Sequence, residues 1–328
     1  MKVSTVLRHI LQAIRRSRSI CVVGHVRPDG DCIGSQLALT VGLRNLGKQV
    51  TCWNEDGLPA KLAFLDPEHL MQKPRRDGQF DCVIAVDSAS LDRLGSATPC
   101  IARRKLLINI DHHQSNTHYG DLNWVQPDSA STGELIYRLF CAARWPINPL
   151  IADCLFAAVS TDTGSFQYPS TRPDTLYMAG QLLERGANLA TVCQHLYHSL
   201  PLAHVRLLRR VYARFKLTHG NQIAYFWLRK RDYAQAGAKP ADSEGLIDHL
   251  RAIQPVVVAC LFEQMEPRLI RVSLRSKDHR VNVGQIATAL GGGGHQAAAG
   301  ARIRGTPAAV QRRVLDAIAH ALRAARHR

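Results

Sequence analysis

Four stretches of this 328-residue chain end an apolar run in groups that can hold metal ions. "SICVVGHVRPDGDCIGS" carries His25, Asp29 and Asp31. "CVIAVD" ends at Asp87, "LLINIDHH" ends in Asp111, His112 and His113, and "LFAAVSTDTGSF" delivers Asp162. Taken singly, an aspartate at a strand end is an ordinary cap or turn residue, and a lone histidine an ordinary surface or core one. Acids and histidines returning at four apolar-run ends are not explained as independent occurrences. Asp29, Asp31, Asp87 and Asp162 together would repel one another strongly unless compensated. Two divalent cations balance their four charges. Carboxylates with imidazoles and no thiolate suit Mn²⁺ or Mg²⁺ better than structural zinc. Two such ions side by side form the clamp used for phosphoester hydrolysis.

These residues need a scaffold that brings them together. The first half alternates short apolar runs, read as strands at 19–24, 49–54, 80–87 and 105–111, with helical patterns. The helical "GSQLALTVGLRNLG" stops at Gly47, as a helix C-terminus does. Further helices are predicted over 132–144, 149–162 and 172–186. The β-α-β rhythm predicts an α/β domain with a largely parallel sheet flanked by helices. In such sheets the loops at the strands' carboxyl ends converge on one crevice. An arginine-rich helical stretch over 191–216 reads as a connector between a first domain at 1–190 and a second at 217–328. The second carries strand candidates in "QIAYFWLRK", "VVVACLFEQ" and "LIRVSLRS", a helical "VGQIATAL", a glycine run and a closing helix over 306–328. It is a smaller α/β domain. There is no internal repeat and no low-complexity linker.

The totals set limits. The apolar fraction of 46% and charged fraction of 21% are ordinary for a globular chain. No apolar run reaches the roughly 18 residues of a membrane span, and "MKVSTVLRHILQAIRRSRS" reads as a first helix, not a signal peptide. Nine scattered cysteines without a CxxC pair read as reduced, mostly buried thiols in a cytoplasmic protein. The net charge of +16 points to a polyanionic partner such as nucleic acid or nucleotide, or else to a generic basic surface. No aromatic-rich basic stripe is expected to accompany the arginines.

"GGGGHQAAAG" (291–300) is neither a P-loop, since no Lys-Ser/Thr follows, nor GxGxxG. Glycines there let backbone N–H groups approach phosphate oxygens, with His295 adding a donor; a flexible turn is the plain alternative. Arg275 and Ser276 end the strand before it, and arginine offers a fork matched to phosphate. Lys277 reads as a solvated surface charge. Arg93 could reach a phosphate or form a surface salt bridge. Ser131 and Thr132 read as a cap for the helix whose first turn holds Glu134. His118, His195, His198 and the C-terminal histidines have no motif context.

In order and over nearly the whole chain, "HVRPDGD", "VD", "DHH" and "STDTGSF" resemble the motifs of the DHH phosphoesterase superfamily, and "GGGGHQAAAG" resembles the signature of its DHHA-type second domain. Length and architecture resemble most the oligoribonuclease and phosphoadenosine-phosphate phosphatase group, relatives of RecJ-type exonucleases. The resemblance implies one metal on His25, Asp29 and Asp87 and a second on Asp31, Asp87, His112 and Asp162, with Asp87 bridging. Two Mn²⁺ per site, or Mg²⁺, would activate water as nucleophile. Asp87, His112 and His113 are then the catalytic residues, His113 facing the scissile phosphate and Asp111 orienting a neighbouring histidine. Cys32 stands where the family often has alanine, outside the implied ligand set. Arg275, Ser276, Gly292, Gly293, Gly294 and His295, with Arg93, would bind substrate, facing the metals across a cleft between the domains.

The expected activity is hydrolysis of short RNA or DNA oligonucleotides and linear dinucleotides to mononucleotides, and of 3′-phosphoadenosine 5′-phosphate to AMP. No membrane partner is expected, and a homodimer stays open. A RecJ-type single-stranded DNA exonuclease is the nearest alternative, but the length leaves no room for an added OB-like domain. An inorganic pyrophosphatase would have a different second domain. A catalytically silent nucleotide- or RNA-binding module would have replaced metal ligands, and all six are present.

Overall fold

The computed structural model describes residues 4–326 and divides the chain into two compact units, Met1–Ser199 and Leu200–Arg328. The first three residues of the predicted opening helix and the last two of the closing helix lie outside the described residues. The division falls inside the stretch read as a connector, and the two helices of that stretch belong to different units.

In the first unit, helix α1 (Thr5–Arg16) begins where the Ser4 hydroxyl accepts the Leu7 N–H. It buries Leu7, Ile10, Leu11 and Ile14, spaced along one face. Then follow β1 (Ser19–Val23), α2 (Gly30–Asn45), β2 (Gln49–Trp53), β3 (Met71–Gln72), β4 (Cys82–Val86), α3 (Ala97–Cys100), β5 (Leu107–Asp111) and β6 (Leu122–Val125). Helices α4 (Thr132–Ala143), α5 (Pro149–Asp162), α6 (Pro173–Glu184) and α7 (Leu189–Tyr197) complete it. The strands form one sheet in the order β3-β2-β1-β4-β5-β6, every pairing parallel.

That order has a switch point. From β1 the chain winds outward through β2 and β3, then returns to β4 and winds the other way. The loops after β1 and β4 therefore part, leaving a crevice at their carboxyl ends. Both faces of the sheet are covered. Ile20, Val22, Ile84 and Ile108 face α1, α2, α4 and α5, whereas Cys21, Val23, Val83 and Ala85 pack on the 91–101 segment. Strand alternation with both faces buried gives the continuous apolar runs seen in the sequence.

Helix α2 is buried from Gly30 to Leu43 and has no polar face. It packs against α5 through small residues: a Cβ built on Gly34 would lie 2.3 Å from the Cys154 carbonyl oxygen, and one on Gly30 would lie 2.4 Å from Thr161 Oγ1. This contact fixes the spacing between the start of α2 and the end of α5.

The second unit runs α8 (Leu202–Arg214), β7 (Lys216–Thr218), β8 (Ile223–Leu228), α9 (Lys230–Ala236), α10 (Leu246–Arg251), β9 (Val258–Glu266), β10 (Leu269–Ser276), α11 (Val283–Ala289), β11 (Gly293–Gly294), β12 (Ala298–Arg304) and α12 (Pro307–Arg326). Its sheet has the order β11-β12-β10-β9-β8-β7 and is mixed, parallel only at β8–β9. Helices α11 and α12 cover one face, and α8, α9 and α10 the other. Among the described residues no helix is long and apolar enough to cross a membrane.

Alanine ordinarily improves a helix interior over glycine by about 0.5–1 kcal/mol. Gly34→Ala should do the reverse, costing about 1–3 kcal/mol, because the methyl meets backbone that can move only by parting two helices. Urea unfolding of the variant measures this.

Candidate metal centre

His25 and Asp87 follow the two strands that flank the switch point, β1 and β4. His25 Nε2 lies 3.3 Å from Asp87 Oδ2 and 3.8 Å from Asp29 Oδ1. Its Nδ1 lies 2.9 Å from the Val26 carbonyl, so the Nδ1–H donates there and Nε2 is the nitrogen that faces the carboxylates. Asp87 has φ +54°, the left-handed region that aspartate tolerates better than most residues. Its N–H still donates to the Ile110 carbonyl at 3.0 Å, so the strand ends in a turn that points the chain away from β4.

Asp29 is the N-cap of α2, its Oδ1 accepting the Cys32 N–H at 3.0 Å, and its side chain is half exposed. Asp31 lies in the first turn of α2 and is fully buried. Its two oxygens accept the N–H groups of Thr132 (2.7 Å) and Gly133 (2.8 Å), and the Ser35 hydroxyl lies 3.3 Å away. Those two N–H groups are unpaired first-turn donors of α4. Ser131 caps α4 as expected, its hydroxyl accepting from Glu134 N–H, but Thr132 does more: its hydroxyl donates to Asp87 Oδ1 at 3.0 Å. The α4 start thus holds two ligand candidates, a role the capping pattern alone did not disclose.

His112 follows β5. Its Nε2 lies 3.3 Å from Asp162 Oδ2, 3.7 Å from Asp87 Oδ1 and 3.8 Å from Asp31 Oδ2, while its Nδ1 faces the Ser129 carbonyl at 3.2 Å. Asp162 is the last residue of a helix, α5, not the end of a strand like the other three segments. Asp111 is buried and accepts from His113 Nδ1 at 2.8 Å and from Asn116 Nδ2 at 2.6 Å. Asn116 also donates to Asn109 Oδ1 (2.8 Å), tying the turn after the histidine pair back to β5. Asn109 lies within "LLINIDHH" and Asn116 three residues beyond it, and the motif pattern assigned a role to neither.

The six predicted ligands converge, with Asp87 shared between two sets of possible donor atoms. Asp31, Asp87 and His112 offer atoms within 4.8 Å of one another, as do His25, Cys32 and Asp87. Cys32 therefore lies with its thiol beside these atoms, although the resemblance leaves it outside the ligand set. Burial pushes its thiol up and holds it neutral, with the S–H directed at Gln36 Oε1 3.6 Å away, so the charged donors remain carboxylates. Gln36 in turn accepts from Asn54 Nδ2 (3.2 Å), which also donates to the His25 carbonyl (3.1 Å).

The electrostatics fit cations. Burial and the neighbouring Asp87 push the Asp31 carboxyl well up. Burial, Asp29 and Asp87 push Asp162 up to about 7 against the pull of His112. Asp87 goes the other way: burial opposes its charge, but the bond to His25 and three imidazoles hold it below the usual range. For His113, burial is overcome by Asp111 and Asp87, raising it to about 9. Acids that strain to stay protonated beside one that stays charged are the signature of a site waiting for positive charge.

In the second unit, Gly293 and Gly294 pair with β12, which begins two residues past the glycine run's Gln296. Gly292 is dictated by packing, since a Cβ would sit 2.1 Å from the Gly300 carbonyl, and Gly294 has φ +138°. Gly293 is open on its side-chain face, and the His295 N–H donates to the Ala298 carbonyl at 2.8 Å. Arg275 Nε lies 3.7 Å from Asp248 Oδ1, and Ser276 donates to the Asp278 carbonyl at 3.0 Å. Lys277 is not simply solvated: its amine donates to the carbonyls of Ile253 (2.7 Å) and Gln254 (2.9 Å). Arg93 is exposed and makes no ion pair among the described residues; its carbonyl accepts from Val26 N–H at 2.8 Å. His195 stacks on Phe64, with ring centres 4.3 Å apart.

A parallel sheet with carboxylates and imidazoles gathered at its switch point, joined to a second unit bearing the glycine run, matches known proteins along most of its length. Residues 19–159 match the N-terminal domain of the DHH family and residues 220–325 the DHHA1 domain, and the chain belongs to the DHH family. It is 32% identical to the bifunctional oligoribonuclease and PAP phosphatase NrnA of Thermus thermophilus, over 91% of this chain and 89% of that protein. Among solved structures, an exopolyphosphatase-related protein of Bacteroides fragilis superposes with TM-score 0.89 and 25% identity, covering 98% of this chain and 97% of that one. RecJ of Thermus thermophilus in complex with Mn²⁺ shares the fold, with TM-score 0.54 and 15% identity, over 98% of this chain and 55% of RecJ.

The shifts give a pH dependence with a definite sign. Raised carboxyls (Asp31, Asp162) and raised imidazoles (His25, His113) both mean that the folded metal-free protein holds protons the unfolded chain releases. Its stability is therefore lost as pH rises from about 5 towards 8, while the lowered Asp87 and Asp111 take stability away only in acid. Added Mn²⁺ displaces those protons. The Mn²⁺-induced rise in Tm should be several degrees larger at pH 8 than at pH 6, as differential scanning fluorimetry can measure.

Proposed function

We propose that this protein is a metal-dependent phosphoesterase that hydrolyses short oligonucleotides to mononucleotides and 3′-phosphoadenosine 5′-phosphate to AMP. The observation that carries the reading is Asp87, one charged carboxylate within reach of His25 on one side and His112 on the other. His25, Asp29 and Asp87 would hold one divalent cation, and Asp31, Asp87, His112 and Asp162 a second, Mn²⁺ by preference. Such ions supply a water activated at neutral pH and positive charge beside the transferring phosphoryl group.

The chain's own groups have separable tasks. The Val26 and Ser129 carbonyls fix the tautomers of His25 and His112, and the α4 start fixes Asp31. His113, held by Asp111 and raised to about 9, is a charged donor suited to stabilising negative charge on a phosphate. In the second unit Arg275, Ser276, the open Gly293 and His295 would bind a substrate phosphate, with Gly292 and Gly294 shaping that turn; in the first unit Arg93 would bind phosphate as well. Nine unpaired cysteines, most of them buried, support a cytoplasmic setting. The RecJ-type alternative has less support, because this chain spans about half the length of Thermus thermophilus RecJ but 89% of the Thermus thermophilus NrnA.

With Mn²⁺, 5′-labelled oligonucleotides of two to five residues should be hydrolysed faster than 24-mers, and phosphoadenosine phosphate should yield AMP. Preferential digestion of long single-stranded DNA would sink this reading in favour of the RecJ type. Asp87→Asn keeps a residue that tolerates the left-handed backbone. Losing a partner of a metal ligand costs roughly 10- to 100-fold, so losing a ligand shared by both ions should cost more, with the circular dichroism spectrum unchanged. Arg275→Ala should lower kcat/KM on a 5′-phosphorylated dinucleotide about ten- to a hundredfold, the worth of a charge-assisted contact. The Mn²⁺-induced Tm rise should stay intact, and the loss should shrink when the substrate lacks that phosphate.

A further inference from the structure

The sequence contains one aromatic and basic stretch that the expectation of a featureless basic surface overlooks: "AYFWLRKR", residues 224–231. The structure turns it into a pocket. Along β8, Ala224, Phe226 and Leu228 face α8, α9 and α10, and Tyr225 and Trp227 face the side that α12 covers. Helix α12 covers them incompletely, so both rings are half-buried. They line a cavity of about 230 Å³ with Lys216, Arg229, Arg231 and Gln311.

The rings are held in place. Trp227 stacks on Phe262, with centres 4.8 Å apart and planes 15° apart, and its indole N–H donates to Gln311 Oε1 at 2.6 Å. Tyr225 meets the same phenylalanine edge-on at 6.2 Å. Lys216, directly across from Tyr225 in the β7–β8 ladder, is exposed, as are Arg229 and Arg231, and none of the three has an ion-pair partner among the described residues. The one acid in the wall, Asp232, is already engaged. It accepts from Arg214 at 2.8 Å and from the Arg229 backbone N–H at 2.9 Å, with Arg210 3.7 Å away. It is therefore compensated and does not repel an anion.

Fixed aromatic faces inside a rim of unpaired cations suit one class of ligand: single-stranded nucleic acid, its base against a ring and its neighbouring phosphates on the cations. An inorganic anion would have no use for the rings, and an apolar ligand none for the cations. We propose that this pocket binds one nucleotide of a single strand as an accessory site. It is separate from the glycine run, because β7 and β11 are opposite edges of the sheet. The rings stand on β8, four inter-strand spacings or about 19 Å from β11. A dinucleotide held at the glycine run cannot span that distance; a longer strand can. The pocket therefore acts on affinity for longer strands and not on turnover of the shortest.

The test is binding by the full-length protein in EDTA, where no turnover occurs, so it stands or falls apart from the phosphoesterase reading. The probe is a fluorescein-labelled 12-mer of oligouridylate, read by anisotropy across a salt series. Arg229→Ala/Arg231→Ala, both exposed, should weaken binding at least tenfold and flatten the slope of log K against log salt by about 1.4, two phosphate contacts at 0.7 each. Mn²⁺-dependent turnover of a dinucleotide by the same variant should be unchanged. Oligouridylate should quench tryptophan fluorescence in the wild type, and Trp227→Phe, which preserves the stack on Phe262, should remove that quench. Unchanged affinity and slope in the double variant would overturn the proposal. So would inorganic polyphosphate binding as tightly as the 12-mer, because the rings would then contribute nothing.

Discussion

Like charge brought together out of water is the constraint from which the first unit follows. Asp31 is fully buried, Asp87 nearly so, and Asp162 lies within the reach of the imidazole that also faces both of them. No arrangement of aspartates alone would survive this, so the surroundings are built to hold them. The parallel sheet places β1 beside β4, and its switch point opens the crevice into which their loops turn. The unpaired N–H groups at the start of α4 grip Asp31, and the Thr132 hydroxyl grips Asp87. The Val26 and Ser129 carbonyls orient His25 and His112 so that each turns its Nε2 toward the carboxylates. The close glycine contact between α2 and α5 sets how far apart the two ends of the site stand.

Much of this was legible before any coordinates. Apolar runs ending in aspartate or histidine marked β1, β4 and β5, because a strand buried on both faces must be apolar throughout and its polar residues begin where it ends. The ladders bear this out from Ile20 to Ile110. Asp162 shared that pattern for a different reason: α5 is so deeply buried that its last turns read as an apolar run, though the element is a helix. What could not be read were contacts made by backbone. Thr132 and Gly133 act on Asp31 through their N–H groups, which no residue type reveals, across about a hundred positions of sequence. Edge strands such as β6 and β7 were equally silent, being short and half-exposed.

The glycine run and the 224–231 stretch show how composition misleads in opposite directions. Four consecutive glycines invite a reading as a flexible or phosphate-holding turn, yet Gly292 is there because β12 passes too close for a side chain. Gly291 and Gly293 have open side-chain faces, and Gly291 holds φ +84°. The net charge gave no hint of where the cations gather, yet the β8 alternation puts Tyr225 and Trp227 on one face, apart from Phe226, and brings Lys216 opposite Tyr225. Spacing in the chain says little about spacing on a surface until the strand period is applied.

The Asp31 clasp has a consequence for synthesis. The residues that secure this carboxylate are made some hundred codons after it, and the last ligand candidate, Asp162, later still. A nascent chain that has been released as far as His112, just past β5, already carries five of the six candidate ligands, but Asp31 has neither its α4 donors nor the helix that completes the set. The clustered donor set thus belongs to the finished first unit and not to any shorter piece of it, because the cluster comes together only when α5 docks against α2.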